Sequence, residues 1–243
     1  MTASKPALAP LIAIIGCDGS GKSTVSEQVL AMASHYGPAA TAHLGKQQGN
    51  VGRSLANLPL IGKWFRRLIE RKVKTVNTSQ EKNKAPNILP ALVMYAFTLR
   101  RLKRFRQMLA LRKQGFIIIT DRFPQLDYPN AYDGPSLSVN AQGNFIVCWL
   151  AKHEQAAFEW MTQHKPDLVI RLHVDIDTAC QRKPDHVREA LLKKVEITPL
   201  LTFNGAEIVE VNSVQPLAQV INETTTAVNN VLISCGYQKN VKS

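Results

Sequence analysis

Gly16, Gly21, Lys22 and Ser23 stand at the spacing G-x-x-x-x-G-K-[ST] inside the stretch IIGCDGSGKSTV, residues 14–25. Glycines at those places let the backbone curl so that successive N–H groups point inward at an anion, and a helix beginning at the lysine adds its positive end. The lysine ammonium suits the β and γ phosphates of a nucleoside triphosphate, and the serine hydroxyl suits the Mg²⁺ that polyphosphates carry. The spacing predicts a phosphate cradle made by Gly16, Asp18, Gly19, Ser20, Gly21, Lys22, Ser23 and Thr24, with ATP and Mg²⁺ as its ligands.

A second chemical feature is Asp121-Arg122, which closes the apolar run FIIIT. In open parallel sheets ligands sit at the carboxyl ends of the strands, so this pair is expected beside the phosphate loop, with Asp121 suited to Mg²⁺. Where a hydrolytic ATPase often carries a Glu to activate water, Arg122 would bind a second anion, either an acceptor or the travelling phosphoryl group. The guanine signature [NT]-K-x-D is missed by both NKAP at Asn83 and HKPD at His164.

These residues need elements to position them. Leu11 to Ile15 is a continuous apolar run of the kind a strand covered on both faces requires, and the helix after Lys22 is expected to reach Tyr36 before Gly37-Pro38 stops it. Further strands are expected at Ala40 to Leu44, over FIIIT, from Pro166 to Asp175 and from Ala206 to Asn212. Leu92, Tyr95, Ala96, Leu99, Leu102, Phe105, Met108 and Leu109 recur at helical spacing, which predicts a long amphipathic helix with Arg100, Arg101, Lys103, Arg104 and Arg106 on its opposite, solvated face. Arg100 is left open between that face and an acceptor site. Helices are also expected over 145–164, 176–183, 186–195 and 216–232. Strands alternating with helices, without repeats or linkers, predict an α/β fold with one five-stranded parallel sheet flanked by helices.

Composition bounds the rest. The 243 residues are 45% apolar, enough for a sizeable core, and thirty Lys and Arg against eighteen Asp and Glu give a net charge of +12 that favours anionic partners. Cys17, Cys148, Cys180 and Cys235 are scattered without a C-x-x-C pair, which favours free thiols in a reducing compartment. The histidines show no H-E-x-x-H or Cys/His cluster, so any metal is expected to come with the nucleotide. The apolar block Ile88 to Leu99 is too short to span a bilayer, and Pro6 and Pro10 argue for a strand over a signal peptide; a cytoplasmic protein is expected.

The ordered set GCDGSGKST, TDRF and KPDLVIRLHVDIDTACQRK resembles the thymidylate kinase family of nucleoside monophosphate kinases, most strongly over residues 11–36 and 92–232. The resemblance implies a three-layer P-loop kinase fold with a small lid over ATP. It implies that Lys22 and Ser23 meet ATP and Mg²⁺, that Asp18 meets the acceptor's sugar hydroxyl, and that Arg100 binds the acceptor monophosphate. Asp121 and Arg122 match the family's Asp-Arg-aromatic signature, while Arg182, Lys183 and Arg188 fall in the lid, where arginines stabilise charge on the transferred phosphoryl. Phe97 falls where the family stacks an aromatic on the base, and Tyr132 lies in NAYDG, a partial match to the Ala-Tyr-Gln-Gly segment that helps read thymine. Asp133 replaces that glutamine, and HLGKQQGNVGR replaces the family's Arg-Glu-Pro-Gly turn.

The sequence is thus read as a single domain, 1–243, with a basic helical insert near 50–86 and a lid near 182–198. The leading expectation is ATP- and Mg²⁺-dependent phosphoryl transfer to a small-molecule acceptor, a nucleoside monophosphate with dTMP first. The alternatives are a P-loop kinase for another nucleotide, a nucleoside or a sugar phosphate, and a nucleotide-dependent protein whose basic helices bind nucleic acid or a membrane surface. The few aromatics in the basic segments argue against nucleic acid. A homodimer is left open.

Overall fold

The computed structural model describes residues 8–45, 88–140 and 144–239, so the expected basic insert near 50–86 lies outside the described residues. In chain order the elements are β1 (Leu11–Gly16), α1 (Lys22–Ala33), β2 (Ala39–His43), α2 (Ile88–Lys113), β3 (Ile117–Asp121), α3 (Phe145–Thr162), β4 (Leu168–His173), α4 (Ile176–Arg182), α5 (Arg188–Ile197), a 3₁₀ turn (Thr198–Leu200), β5 (Ile208–Asn212) and α6 (Leu217–Ser234). The five strands form one parallel sheet in the order β2-β3-β1-β4-β5. This is the α/β architecture of P-loop nucleotide-binding proteins.

Period two along each strand sorts its side chains between two layers. Ile12 and Ile14 of β1, with Ile117 and Ile119 of β3, pack against Val25 and Val29 of α1 and Val228 and Leu232 of α6. Leu11, Ala13 and Ile15, with Ile118, pack on the other face against Phe105 and Met108 of α2 and Phe158 and Met161 of α3. Every residue of β1 is buried, which a strand lacking a polar side chain permits. Pairing Ile14 with Asp121 and Ile15 with Arg171 aligns the carboxyl ends of β1, β3 and β4 on one edge, where the phosphate loop emerges.

The solvated face expected for α2 is corrected. Leu92 and Leu99 are exposed, whereas Arg101 and Arg112 are buried. Each inward arginine has a carboxylate partner, Asp133 for Arg101 and Asp167 for Arg112, the latter at 2.5 Å. Spacing alone cannot anticipate a buried arginine, because its burial depends on a carboxylate supplied by another element.

Beyond β4 the expected lid is two short helices, α4 and α5, and the 3₁₀ turn. Arg171 anchors their return: its Nη1 donates to the carbonyl of Pro199 at 2.9 Å and to Glu210 at 2.7 Å. Among the described residues no helix is long and apolar enough to cross a membrane.

Candidate functional site

The phosphate loop joins β1 to α1, and its glycines are dictated by space and by backbone. A Cβ on Gly16 would stand 2.3 Å from the Ser20 hydroxyl and 2.8 Å from the Leu172 carbonyl. Gly21, the residue before α1, has φ +83, which only glycine adopts freely. Gly16 and Ser20 lie beneath the loop. Asp18, Gly19, Gly21, Lys22, Ser23 and Thr24 line a cleft of about 830 Å³ at the carboxyl edge of the sheet. The Lys22 ammonium is buried and donates to the carbonyl of Cys17 at 2.7 Å. Burial, and after it the charge of Arg122, holds its pKa down to about 8.

Across the cleft, the ends of β2 and β3 bring His43 to Asp121, with Nδ1 2.9 Å from Oδ2. Burial opposes ionisation of Asp121, but the hydrogen bond from His43 and the charge of Lys22 outweigh it and lower its pKa. Its other oxygen, Oδ1, is buried and has no hydrogen-bond partner among the described residues. Asp121, with this unpartnered oxygen, and the exposed hydroxyl-bearing residue Ser23 line one cleft, and a carboxylate with a hydroxyl is a donor set that fits a hard divalent cation.

Arg122 adopts φ +70 immediately after β3. Its Nη2 lies 2.8 Å from Asp18 of the phosphate loop, and its Nη1 lies 3.5 Å from Asp133. Asp133 belongs to a loop in which Asn130, Tyr132 and Asp133 all have positive φ. That conformation is held by buried polar groups. The Gln125 amide donates to the carbonyls of Tyr128 and Ala131, and Glu154 of α3 accepts from Thr98 Oγ1 and from the N–H groups of Ser136 and Leu137. Arg101 clamps Asp133 from α2, donating to its carboxylate at 2.6 Å and to its carbonyl at 2.7 Å. The loop is also tied to β1: the Tyr132 hydroxyl accepts from the Gly16 N–H at 2.7 Å and donates to the Gly16 carbonyl. Burial pushes the Tyr132 phenol pKa well up, so it keeps its proton.

Asp18 is the meeting point of the site. It pairs with Arg122, with Lys194 of α5, and at 3.8 Å with His186. Burial works against its charge, but Lys194, Arg122 and Lys22 prevail and hold its carboxyl at about 2.

A scan against family models found no match. Two proteins of Escherichia coli K12 are similar over nearly the whole chain. The "Uncharacterized ATP-binding protein YghS" is 38% identical over 223 residues, 91% of this chain and 93% of that protein. The "Uncharacterized ATP-binding protein YghR" is 36% identical over 234 residues, 96% of this chain and 92% of that protein, and its counterpart in Escherichia coli O6:H1 matches equally. The chain belongs to the YghS and YghR family.

In this YghS/YghR relative, the expected site residues divide. The loop residues other than Gly16 and Ser20, with Asp121, Arg122, Tyr132, Arg182 and Lys183, line one cleft. Arg182 donates to the carbonyls of Gly19 at 3.2 Å and Ser213 at 3.1 Å, fastening α4 to the loop. Three expected site residues, Arg188, Arg100 and Phe97, stand outside the cleft lining. Arg188 pairs at 2.8 Å with the exposed Asp177 and does not line the cleft, because its place at the start of α5 turns it back along α4. Arg100 is exposed, and neither it nor Phe97 lines the cleft. The turn of α2 that faces the site instead presents Arg101, and Arg104 donates to the carbonyls of His43 and Gly45 at 2.9 and 2.8 Å. The Tyr132 hydroxyl, expected against an acceptor, is committed to the phosphate loop. His43, His186 and Lys194 were not anticipated. His186 and Lys194 fall within the expected lid, 182–198, whereas the place of His43 beside Asp121 follows from the pairing of β2 with β3.

Proposed function

We propose that the chain is an ATP- and Mg²⁺-dependent phosphotransferase that acts on a phosphorylated small molecule, with a nucleoside monophosphate, dTMP first, as the acceptor to test. ATP as donor is supported by the phosphate cradle and by the description of YghS and YghR as ATP-binding proteins. The observation that carries transfer over hydrolysis is the place of Arg122, between the phosphate loop and the 130–134 loop, with an ion pair to each. A guanidinium there is a fork for a second anion, at the place where a hydrolytic ATPase often carries a carboxylate to activate water.

In this reading Lys22 leaves the Cys17 carbonyl for the β and γ phosphates, and the loop N–H groups bind the same oxygens. Ser23 and Asp121 would hold Mg²⁺, which supplies neutralising charge to the phosphates. Arg122 orients the acceptor phosphate and meets the phosphoryl group that passes to it. The bond between the γ-phosphorus and the β-γ bridging oxygen breaks with its electron pair leaving on ADP, while a lone pair of an acceptor phosphate oxygen forms the new bond. That oxygen is already deprotonated at neutral pH, so no proton need be removed. Arg182, braced on Gly19, faces the donor side.

The closest competing reading is a kinase of this architecture for another phosphorylated acceptor. It is favoured by Asp133, whose carboxylate is bound by Arg101, and by the absence of Phe97 and Arg100 from the cleft lining. A coupled assay of ADP formation across nucleoside monophosphates, nucleosides and sugar phosphates, with product identified by mass, separates the readings. Phosphate gained by dTMP supports the first, and gained by another acceptor supports the second. ATP hydrolysis with no acceptor phosphorylated overturns both.

A further inference from the structure

We propose that Lys194 is a further catalytic cation, meeting the transferred phosphoryl together with Arg122, and that the Asp18 carboxylate competes with the phosphoryl oxygens for both. The proposal rests on the phosphotransferase reading above and assigns two residues within it.

Lys194 lies on α5 and lines the same cleft as Lys22 and Arg122. Its ammonium donates to one oxygen of Asp18, while Arg122 donates to the other at 2.8 Å. The two cations come from opposite sides of the cleft, Arg122 from the end of β3 and Lys194 from beyond β4, and they converge above the loop that carries Lys22. A phosphoryl group in transit spreads negative charge over three oxygens and is stabilised by positioned cations around it. Asp18 is a small anion already surrounded in that way, and the strong depression of its carboxyl pKa reflects the same field. A more highly charged phosphoryl entering this field draws on the cations that Asp18 holds.

Geometry selects Lys194 over Arg188. The Arg188 side chain is 57% exposed and bound to the exposed Asp177, whereas Lys194 is 32% exposed and reaches the phosphate loop. The backbone that carries Lys194 is fixed: its carbonyl accepts from Thr198 Oγ1 at 2.6 Å, and the following turn is held by Arg171. A fixed backbone with a flexible four-carbon stem lets the ammonium change partner without moving the helix. In the transfer step already written, bond formation and cleavage at the γ-phosphorus are unchanged, and Lys194 takes no part in either bond.

The first test is binding of inorganic tripolyphosphate to the full chain in EDTA, measured by calorimetry, which needs no acceptor. Asp18→Asn is expected to bind about tenfold more tightly than wild type, a modest gain because the groups are partly exposed. Adding Lys194→Met to Asp18→Asn is expected to remove most of that gain. Equal or weaker binding by Asp18→Asn, or a double variant that keeps the gain, overturns the proposal. The second test uses the acceptor that the panel identifies: Lys194→Met should lower kcat about a hundredfold with KM for ATP within about threefold, and Lys194→Arg should restore part of it. An unchanged kcat in Lys194→Met overturns the catalytic role. If wild type phosphorylates no acceptor, the phosphotransferase reading falls, and the tripolyphosphate measurements still decide whether Asp18 and a phosphate compete for Lys194.

Discussion

Arg101 and Asp133 meet at 2.6 Å with both side chains only 2% exposed. They join the long helix α2 to the loop that carries Tyr132, and through Asp133 they lie next to Arg122. A buried pair of this kind is costly to break from one side, because the partner left behind keeps a desolvated charge.

Arg101→Met is therefore expected to destabilise the chain by about 3–5 kcal/mol in urea unfolding at neutral pH. Arg101→Met combined with Asp133→Asn should recover most of that loss, since Asn tolerates the φ of +65 at this position and Arg122, which loses its 3.5 Å pair with Asp133, keeps the one with Asp18. A double variant as unstable as the single one would show that the pair acts through something other than charge.

Asp18 gives the stability a defined pH dependence. Its folded pKa is depressed from 3.8 to about 2, so its contribution is present above the unfolded pKa and is lost as pH falls through the folded one. The advantage of wild type over Asp18→Asn, about 2 kcal/mol at pH 6, should shrink as pH falls from about 4 to 2. Urea melts of both proteins across that range measure it, and a constant difference would mean that Asp18 is not paired as described.

Lys22→Met should abolish phosphoryl transfer, with a loss of at least about a hundredfold in kcat, while the fold is kept. Burial, and then the charge of Arg122, hold Lys22 at about 8, so the protonated lysine works against folding at neutral pH. Its replacement by an apolar stem of similar length should leave Tm unchanged or higher. Loss of activity together with a clear fall in Tm would make the lysine structural.

The two arginines of the expected lid should part company. Arg182→Ala removes the donor that fastens α4 to Gly19 and should raise KM for ATP about tenfold. Arg188→Ala removes an exposed pair with Asp177 and should change kcat and KM by less than about twofold. Steady-state kinetics with ATP varied compare them, and the reverse order would return Arg188 to the site.

Tyr132→Phe leaves the ring in place and removes the hydroxyl bound to Gly16. The expected cost is about 1 kcal/mol, or a fall of about 2–4 °C in Tm by circular dichroism. No change in Tm would mean that this hydroxyl does not fasten the loop to β1.

Much was legible in the sequence alone. The phosphate loop is contiguous, and its residue types have one physical use together; the strands are short apolar runs, and their alternation with helices fixes a parallel sheet. These features depend on neighbours within a few residues, so the chain states them locally. The face of α2 was legible only in part, because the apolar periodicity found Phe105 and Met108 but placed Arg101 in solvent. Partners distant in the chain were decided by tertiary structure: Asp133 lies 32 residues from Arg101, and Lys194 lies 176 residues from Asp18. A charged side chain can turn inward or outward at similar helical positions, and the choice falls to the side where an opposite charge waits. That is why Arg101 is buried, Arg188 faces solvent, and Lys194 reaches the phosphate loop.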